Sequence, residues 1–310
     1  MLPEVRAFLD AFYGQDVPDF TSLPVEVMRE AFSSGPPMDA PGPELAHVSD
    51  HLVPGPAREI PVRIYDPAPE SAAPTRGMVF VHGGGFVIGD LDSHDGLCRR
   101  LADGLDMPVI AVHYRLAPEH PFPAAYEDAL AATQWSQTQL SSTLGRPVSG
   151  VICCGDSAGG NLAAAVSLHL EPSTDVPIDL QVLLYPVVDL AGHYPSHDRN
   201  GQGYMLDTKS MAFFADTYCP DGIDRRDPRV SPIYAPRFNA APPAIIVAAE
   251  LDPLYDEAIA YAKALKAADV PVTLIEEAGM LHGFFTMTLA LPSTVKRTET
   301  LINAIKSCLA

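Results

Sequence analysis

Basic residues are scarce in this 310-residue chain: 20 lysines and arginines stand against 39 aspartates and glutamates, which gives a net charge of −19. A surface of this sign repels phosphate backbones and anionic lipid head groups, so we expect no nucleic-acid partner and no stable membrane association. Adaptation to salt and ordinary solubility both account for such an excess of acid, and the sequence leaves both explanations open.

Cysteine and long apolar runs are also lacking. The five cysteines have no metal-type spacing and predict neither a disulfide framework nor a metal site; they are Cys98, Cys153, Cys154, Cys219 and Cys308. No run of roughly eighteen apolar residues occurs, and the first ten residues lack the basic start and unbroken apolar core of a secretory signal. We therefore expect a cytoplasmic protein.

Alternating strand and helix patterns are present from residue 77 onward. Buried strands are predicted over residues 77–81, 108–114, 148–154, 180–185, 244–250 and 272–276, and helices over 93–105, 124–144, 161–170, 254–267 and 294–309. Repeated strand–helix units predict an α/β fold with a mostly parallel central sheet flanked by helices. Two earlier segments, 44–53 and 58–65, alternate as antiparallel strands at a sheet edge.

Two segments fall outside this alternation. Residues 2–35 carry two amphipathic helical patterns, and the Pro/Gly-rich stretch 35–43 separates them from the strands. About fifty residues between Val188 and Pro243 interrupt the rhythm and contain one clear amphipathic helix, 208–218. The first segment is a helical appendage or a solvent-facing arm, and the second is a lid over the main domain or surface decoration.

The stretch Gly155-Asp-Ser-Ala-Gly-Gly160 joins a predicted buried strand to an Ala-rich helix. Small residues on both sides of Ser157 allow a strained turn, and the helix start directs free N–H groups at whatever the serine attacks. A Gly-x-Ser-x-Gly pattern alone arises by chance, but its place between strand and helix is typical of a nucleophile elbow.

A serine nucleophile needs a base and an acid that orients the base. Asp252 follows the predicted strand 244–250, and His282 follows the predicted strand 272–276. The order serine, aspartate, histidine is that of α/β-hydrolases. Two other aspartates are rival acids. Asp189 ends an earlier predicted strand, and Asp256 lies inside the predicted helix that follows Asp252.

Three other histidines compete for the role of base. His169 lies in the helix after Ser157, whereas His193 and His197 lie in the insertion, and all three suit surface or packing roles. The His-x-x-x-His spacing of the last two suits a metal only on a helix, and no helical pattern is evident there.

Three consecutive glycines, Gly83 to Gly85, follow the strand 77–81. Glycine is poor for packing at such a point, but it lets backbone N–H groups face a ligand. We predict an oxyanion hole made by the N–H groups of Gly83, Gly84 and Ala158.

Five segments in order resemble the hormone-sensitive-lipase family of bacterial esterases, also known as bacterial family IV. They are His82-Gly-Gly-Gly-Phe86, Tyr114-Arg-Leu-Ala-Pro-Glu-His-Pro-Phe-Pro-Ala-Ala125, Gly155-Asp-Ser-Ala-Gly-Gly160, Asp252-Pro-Leu and His282-Gly-Phe284. Asp156 is typical of the aspartate-bearing subgroup, because some members have threonine there. Arg115 and Glu119 either tie the loop beneath the glycines or face solvent.

The resemblance implies a serine carboxylesterase of α/β-hydrolase fold that needs no cofactor, with Ser157, Asp252 and His282 as its triad. It also implies a helical cap, residues 1–45 plus 190–225, over a catalytic domain, 46–189 plus 226–310. We expect an apolar substrate pocket near the cap; its candidate residues are Phe12, Phe32, Phe86, Tyr185, Met205, Phe213 and Phe214.

The predicted reaction is hydrolysis of short- to medium-chain acyl esters through an acyl-enzyme intermediate. Amide or lactone hydrolysis uses the same groups and stays open, and a ligand-binding protein on this scaffold is a further alternative that the presence of His282 disfavours. The partner is a small-molecule ester, and a homodimer is left open. The sequence names neither the physiological substrate nor its stereochemistry.

Overall fold

The computed structural model describes residues 1–14, 19–34, 37–169 and 176–310, and within them the chain forms one eight-stranded sheet. Its strands are β1 (His47–Val53), β2 (Ile60–Asp66), β3 (Thr75–Val81), β4 (Val109–Val112), β5 (Val148–Asp156), β6 (Ile178–Leu184), β7 (Ala244–Leu251) and β8 (Val272–Leu281). They lie in the order β1-β2-β4-β3-β5-β6-β7-β8. The antiparallel edge made by β1 and β2 and the parallel remainder confirm the predicted α/β fold.

Helices flank this sheet. They are α1 (Pro3–Tyr13), α2 (Val25–Ser34), α3 (Asp95–Leu105), α4 (Ala124–Leu144), α5 (Ala158–His169), α6 (Pro195–Asn200), α7 (Thr208–Tyr218), α8 (Tyr255–Ala267) and α9 (Thr294–Leu309). The predicted bounds of α4 and α7 are confirmed. Helix α5 begins three residues earlier than predicted, and its predicted last residue lies outside the described residues.

Strand β3 illustrates how apolar residues build the two layers of the core. Its last five residues are all buried, as expected for a parallel strand covered by helices on both faces. Because side chains alternate along a strand, Val79 and Val81 join one apolar cluster while Met78 and Phe80 join the other. The sheet thus lies between two apolar layers.

Both helices of the N-terminal segment bury apolar side chains against the rest of the molecule. Val5 and Leu9 of α1 are buried in the main core beside β8. Met28 of α2 is fully buried in a separate group, the cap cluster, together with Val87, Ile88 and Ala117. The partly buried residues around that cluster are Phe20, Leu23, Val25, Phe213 and Phe214. Side chains of α2 and α7 therefore pack on the same apolar cluster, although the division into cap and catalytic domain stays a prediction.

Two details differ from the sequence-based expectations. Strand β8 continues to Leu281, five residues past its predicted end, and so reaches His282 directly. The insertion holds a second helix, α6, which is short and whose polar sequence gives no apolar period. The Pro/Gly-rich stretch predicted to separate the helices from the strands, residues 35–43, begins with residues 35 and 36, which lie outside the described part. No helix in the described part of the chain is long and apolar enough to cross a membrane.

Candidate active site

Ser157 occupies the turn between β5 and α5 in a strained conformation. Its φ is 54°, a value that residues other than glycine rarely adopt, and its N–H donates to the Leu184 carbonyl at 2.9 Å. A Cβ on Gly159 would lie 1.9 Å from the Val81 carbonyl oxygen, and one on Gly155 would lie 2.3 Å from the Gly159 carbonyl oxygen. The small residues around the serine are therefore required by the close approach of β3.

His282 joins Ser157 to Asp252. Its Nε2 lies 2.8 Å from the Ser157 Oγ, and its Nδ1 lies 2.6 Å from the Asp252 Oδ2. An ionised carboxylate only accepts hydrogen bonds, so Nδ1 donates to Asp252 and Nε2 is left to accept the serine hydroxyl. Asp252 is fully buried, and its other oxygen accepts the Leu254 N–H at 2.8 Å.

The three side chains meet because of the sheet topology. Ser157 follows β5, Asp252 follows β7 and His282 follows β8, and all three strands are parallel. Their carboxyl ends lie on one edge of the sheet, so residues far apart in the chain come together there. Burial alone would lower the pKa of His282, but the Asp252 carboxylate overrides it and holds the pKa above its usual range.

In the glycine loop, residues 82–88, one of the predicted oxyanion residues has its N–H group already engaged. The Gly83 N–H already donates to the Asp156 Oδ1 at 2.8 Å, so it is not free to bind a developing oxyanion. Gly84 and Gly85 have φ values of 114° and 58°, and no described residue accepts a hydrogen bond from either N–H. Ala158 is the first residue of α5, where helical N–H groups have no partner within the helix.

The side chains of His82 and Tyr114 donate hydrogen bonds to backbone carbonyls of this loop. The His82 Nδ1–H donates to the Gly83 carbonyl at 2.8 Å, and the Tyr114 hydroxyl donates to the His82 carbonyl at 2.9 Å. The two rings are stacked with centroids 4.4 Å apart. Burial lowers the pKa of His82 to about 3, so its ring is neutral at physiological pH. The neutral ring holds the loop through its hydrogen bond to the Gly83 carbonyl.

Arg115 and Glu119 do have binding partners, although they do not bind each other. Arg115 is buried and forms an ion pair with Asp128 of α4 at 2.8 Å. Glu119 forms an ion pair with Arg29 of α2, which also donates to the carbonyls of Val87 and Ala117. Residues that follow β4 are thus linked by ion pairs to α4 and to α2.

The rival acids have other partners. Asp189 accepts hydrogen bonds from the hydroxyls of Tyr194 and Tyr234, and Asp256 lies in α8 at 3.5 Å from Arg199. Neither is hydrogen-bonded to His282, whose Nδ1–H donates to the Asp252 carboxylate.

The rival histidines are likewise engaged elsewhere. His193 lies beside Asp198 at 3.1 Å, and His197 lies 3.4 Å from Glu257. His197 belongs to α6, a helix for which the sequence shows no helical pattern. No group of three or more His, Cys, Asp or Glu side chains suited to a metal ion occurs among the residues that the structure describes.

Three of the predicted pocket residues lie beside the Ser157 site. The Tyr185 ring is 4.9 Å from the His282 ring. A Cβ on Gly85 would lie 2.3 Å from the Phe214 ring, and one on Gly283 would lie 3.9 Å from the Met205 Cε. Phe213 contacts Phe214, with ring centroids 5.6 Å apart.

Within the described part of the chain, no ring contact joins the other predicted pocket residues to His282 of the triad. Phe86 is 2% exposed and stacks on Tyr218 with centroids 3.8 Å apart, so it packs in the core rather than lining an open pocket. Phe32 is 38% exposed on α2. Phe12 contacts Phe8 on α1.

A cavity of about 450 Å³ lies between α1 and the residues before α7. Its lining includes Leu9, Tyr13 and Tyr204, with Arg6 and Asp10 as the charged members. The Tyr13 hydroxyl accepts the Met205 N–H at 3.0 Å and links α1 to the insertion. Sequence reasoning missed this cavity because its walls come from two segments that are distant in the chain.

Two buried polar residues were also missed. His94 lies 3.2 Å from Asp156, and the Asn200 side-chain amide donates to the carbonyls of Glu250 and Asp252. The only sequence signal for either was a polar residue inside a predicted helix or in a loop, which is common on any protein surface.

The fold and the arrangement of serine, histidine and aspartate define the class of protein, an α/β-hydrolase. The family model described as alpha/beta hydrolase fold matches residues 78–286, and the chain belongs to this family, as its resemblance to the hormone-sensitive-lipase enzymes implied. The protein is a carboxylic ester hydrolase.

Three relatives illustrate the family relationship. The chain is 40% identical to the carboxylic ester hydrolase LipN of Mycobacterium tuberculosis, over 87% of this chain and 73% of LipN. It is 40% identical to an ethyl acetate hydrolase of Pseudomonas putida, over 74% and 72% of the two chains. Among solved structures, the ester hydrolase EH1AB1 from the metagenome of Lake Arreo, complexed with a derivative of bipyridine phosphonate, superposes with a TM-score of 0.93 at 36% identity, over 99% and 98% of the chains.

Proposed function

We propose that this esterase hydrolyses short- to medium-chain acyl esters through an acyl-enzyme formed on Ser157. The observation that carries the proposal is the continuous hydrogen-bonded chain from the Ser157 hydroxyl through His282 to the buried Asp252. A serine hydroxyl is a weak nucleophile until a base removes its proton, and the free Nε2 of His282 is within reach of that proton.

The reaction proceeds in two halves. Ser157 Oγ attacks the ester carbonyl while Nε2 of His282 takes the hydroxyl proton, and the resulting imidazolium is stabilised by Asp252. His282 then passes the proton to the leaving alcohol, and the acyl group stays bonded to Oγ. In the second half, water loses its proton to Nε2 and attacks the acyl carbon, and the proton returns to Oγ as the acid leaves.

The oxyanion of each tetrahedral intermediate is held by the N–H groups of Gly84, Gly85 and Ala158. This set replaces the predicted Gly83 with Gly85, because the Gly83 N–H is engaged by Asp156. Donors aimed at a developing charge in a dry site lower the barrier by about 3 kcal/mol each.

The preference for short acyl chains rests on the crowding around Ser157. Phe214 contacts Gly85, and Tyr185 and Met205 lie beside His282 and Gly283, so apolar side chains surround the site closely. A relative with 40% identity is named for the hydrolysis of ethyl acetate, whose acyl group has two carbons. We propose that a chain of sixteen carbons exceeds the space under α2 and α7.

The test is hydrolysis of p-nitrophenyl esters from acetate to palmitate, with Ser157→Ala as the inactive control and emulsified triglyceride as a second substrate. We expect an optimum at short chains and a loss of about 10⁶-fold in kcat in the variant. Faster hydrolysis of the triglyceride than of a butyrate ester would contradict the acyl preference.

The same assay separates ester from amide and lactone hydrolysis. p-Nitrobutyranilide and a γ-lactone share the reacting carbonyl with the butyrate ester but differ in the leaving group. Turnover of either at a rate comparable to that of the ester would favour the alternative reaction. We also propose that the enzyme needs no cofactor, and we expect its activity to be unchanged after dialysis against EDTA. A cytoplasmic location stays a prediction, and a homodimer stays open.

A further inference from the structure

A second aspartate–histidine pair lies buried beside the triad. His94 immediately precedes α3, and its Nε2 lies 3.2 Å from Oδ1 and 3.4 Å from Oδ2 of Asp156. Each of the two residues is 4% exposed. Asp156 is the residue next to Ser157, and the same Oδ1 accepts the Gly83 N–H at 2.8 Å. The pair therefore links α3, the nucleophile elbow and the glycine loop at one point.

The hydrogen bonds around His94 accommodate a doubly protonated ring. Nδ1 lies 2.9 Å from the Ser93 Oγ, which accepts the Asp90 N–H at 2.9 Å and lies 2.8 Å from the Asp90 carbonyl. When the Ser93 hydroxyl donates to that carbonyl, Nδ1 donates to Ser93. Nε2 faces a carboxylate that already accepts an N–H from Gly83, so Nε2 is a donor too. An imidazole that donates from both nitrogens carries a positive charge.

The charges around the pair agree with this assignment. Burial opposes a charged His94, but Asp156, with Asp90 and Asp39 further away, holds its pKa above the usual range. Burial likewise opposes an ionised Asp156, and His94 together with the Gly83 N–H keeps its pKa below the usual range. The remaining near neighbour, His82, has its ring centroid 5.6 Å from that of His94 and is neutral.

Space around Gly83 shows how closely the pair is fitted to the loop. A Cβ on Gly83 would lie 2.5 Å from the Asp156 Oδ2, so the carboxylate lies directly against the backbone of this residue. A shift of Asp156 would move Gly83, and Gly83 precedes the two glycines whose N–H groups face the site. Precise placement of such donors determines how well they stabilise an oxyanion.

We propose that protonated His94 is a positioning residue, which holds Asp156 ionised against the Gly83 N–H and thereby sets the glycine loop for oxyanion binding. The inference rests on the proposed esterase mechanism, because it acts through the N–H groups of Gly84 and Gly85. It adds a charged pair beside the nucleophile elbow, and it gives the aspartate of the Gly-Asp-Ser-Ala-Gly segment a function.

The first test needs no catalysis. In protein labelled with ¹⁵N-histidine, the ring signals of His94 are assigned by their loss in His94→Gln, and its protonation is measured at pH 8. We expect both ring nitrogens of His94 to be protonated. A neutral His94 with one unprotonated nitrogen at pH 8 would overturn the proposal whether or not the protein hydrolyses esters.

The second test is kinetic. His94→Phe and Asp156→Asn are compared with wild type and with the matched control His47→Phe, and each rate is normalised to the fraction of protein that a phosphonate ester labels. We expect kcat to fall by on the order of 10- to 100-fold with KM nearly unchanged in the first two variants, because positioning of the donors matters most in the transition state. His94→Gln retains a donor toward Asp156 and should recover part of the loss.

Two results separate the possible failures. If the wild type hydrolyses no ester, the proposed function fails, and the NMR measurement alone decides the state of His94. If wild-type activity is normal and the normalised kcat of His94→Phe is unchanged, the pair is only structural and the proposal is wrong. An equal change in kcat for His47→Phe would also contradict it, because that side chain is exposed on the edge strand.

Discussion

Replacement of Gly85 by alanine is the sharpest test of whether the glycine loop supplies N–H groups to the oxyanion hole. An added Cβ would lie 2.3 Å from the Phe214 Cγ, whereas ordinary contacts begin at 3.4 Å, so ring and backbone must separate by about 1 Å. Phe214 is partly buried and packs against the cap cluster, so we expect the backbone that carries the N–H groups to move.

The expected loss follows from that displacement. Misplacement of a reacting group by about 1 Å costs on the order of 100-fold in rate, and loss of one oxyanion donor costs about 10²- to 10³-fold in kcat. We therefore expect Gly85→Ala to lower kcat for p-nitrophenyl butyrate by about 100-fold.

Gly145 provides the matched control. Its φ of 67° is close to the 58° of Gly85, but no atom lies within 4 Å of an added Cβ. Gly145→Ala carries only the left-handed strain, about 1–2 kcal/mol of stability, and should keep its kcat. Phe214→Ala in the Gly85→Ala background removes the clash and should restore at least tenfold relative to Gly85→Ala, with Phe214→Ala alone as reference. A kcat for Gly85→Ala within about threefold of wild type would refute the assignment of this N–H to the oxyanion hole.

Three further predictions follow from buried carboxylates and amides. Asp252→Asn should lower kcat by about 10⁴-fold and move the acid limb of kcat/KM to lower pH, because the carboxylate raises the pKa of His282; an unmoved limb would contradict this coupling. Burial raises the pKa of Glu257 to about 6, so its ionised form costs about 2 kcal/mol in the folded state at pH 8, and that cost disappears below the unfolded pKa. Glu257→Gln should therefore raise Tm at pH 8 and leave it nearly unchanged at pH 4.5, and an equal gain at both would refute the argument. Asn200→Ala removes two buried hydrogen bonds to the backbone around Asp252 and should cost about 1–3 kcal/mol in urea denaturation and about tenfold in kcat; a change in stability alone would mean that Asn200 does not position the acid.

The sheet and the larger helices could be predicted from sequence because their signals are local. Helix α4 has its predicted bounds, and continuous apolar runs marked β3, β5 and β7. Helix α6 could not be found in this way. It is six residues long and polar, and it is held by contacts such as that of the Ser196 hydroxyl with the Pro253 carbonyl at 2.6 Å.

The serine, aspartate and histidine could be anticipated because strand ends are visible in the sequence. The choice among Gly83, Gly84 and Gly85 could not, since all three are glycines and only the Asp156 carboxylate distinguishes them. The lining of the substrate pocket stays a prediction. Aromatic side chains look alike in the sequence whether they lie against the glycine loop, as Phe214 does at Gly85, or stack in the core, as Phe86 does on Tyr218.

The covalent intermediate is the most direct test of the central claim that Ser157 is the nucleophile. Enzyme mixed rapidly with excess p-nitrophenyl acetate is quenched in acid, and the bound acetyl group is counted by intact mass and located by peptide mapping. The mechanism predicts up to one acetyl group per chain, carried on Ser157, with a matching initial burst of nitrophenol if deacylation is slower than acylation. An acetyl group on another residue, or undiminished ester hydrolysis by Ser157→Ala, would contradict the account.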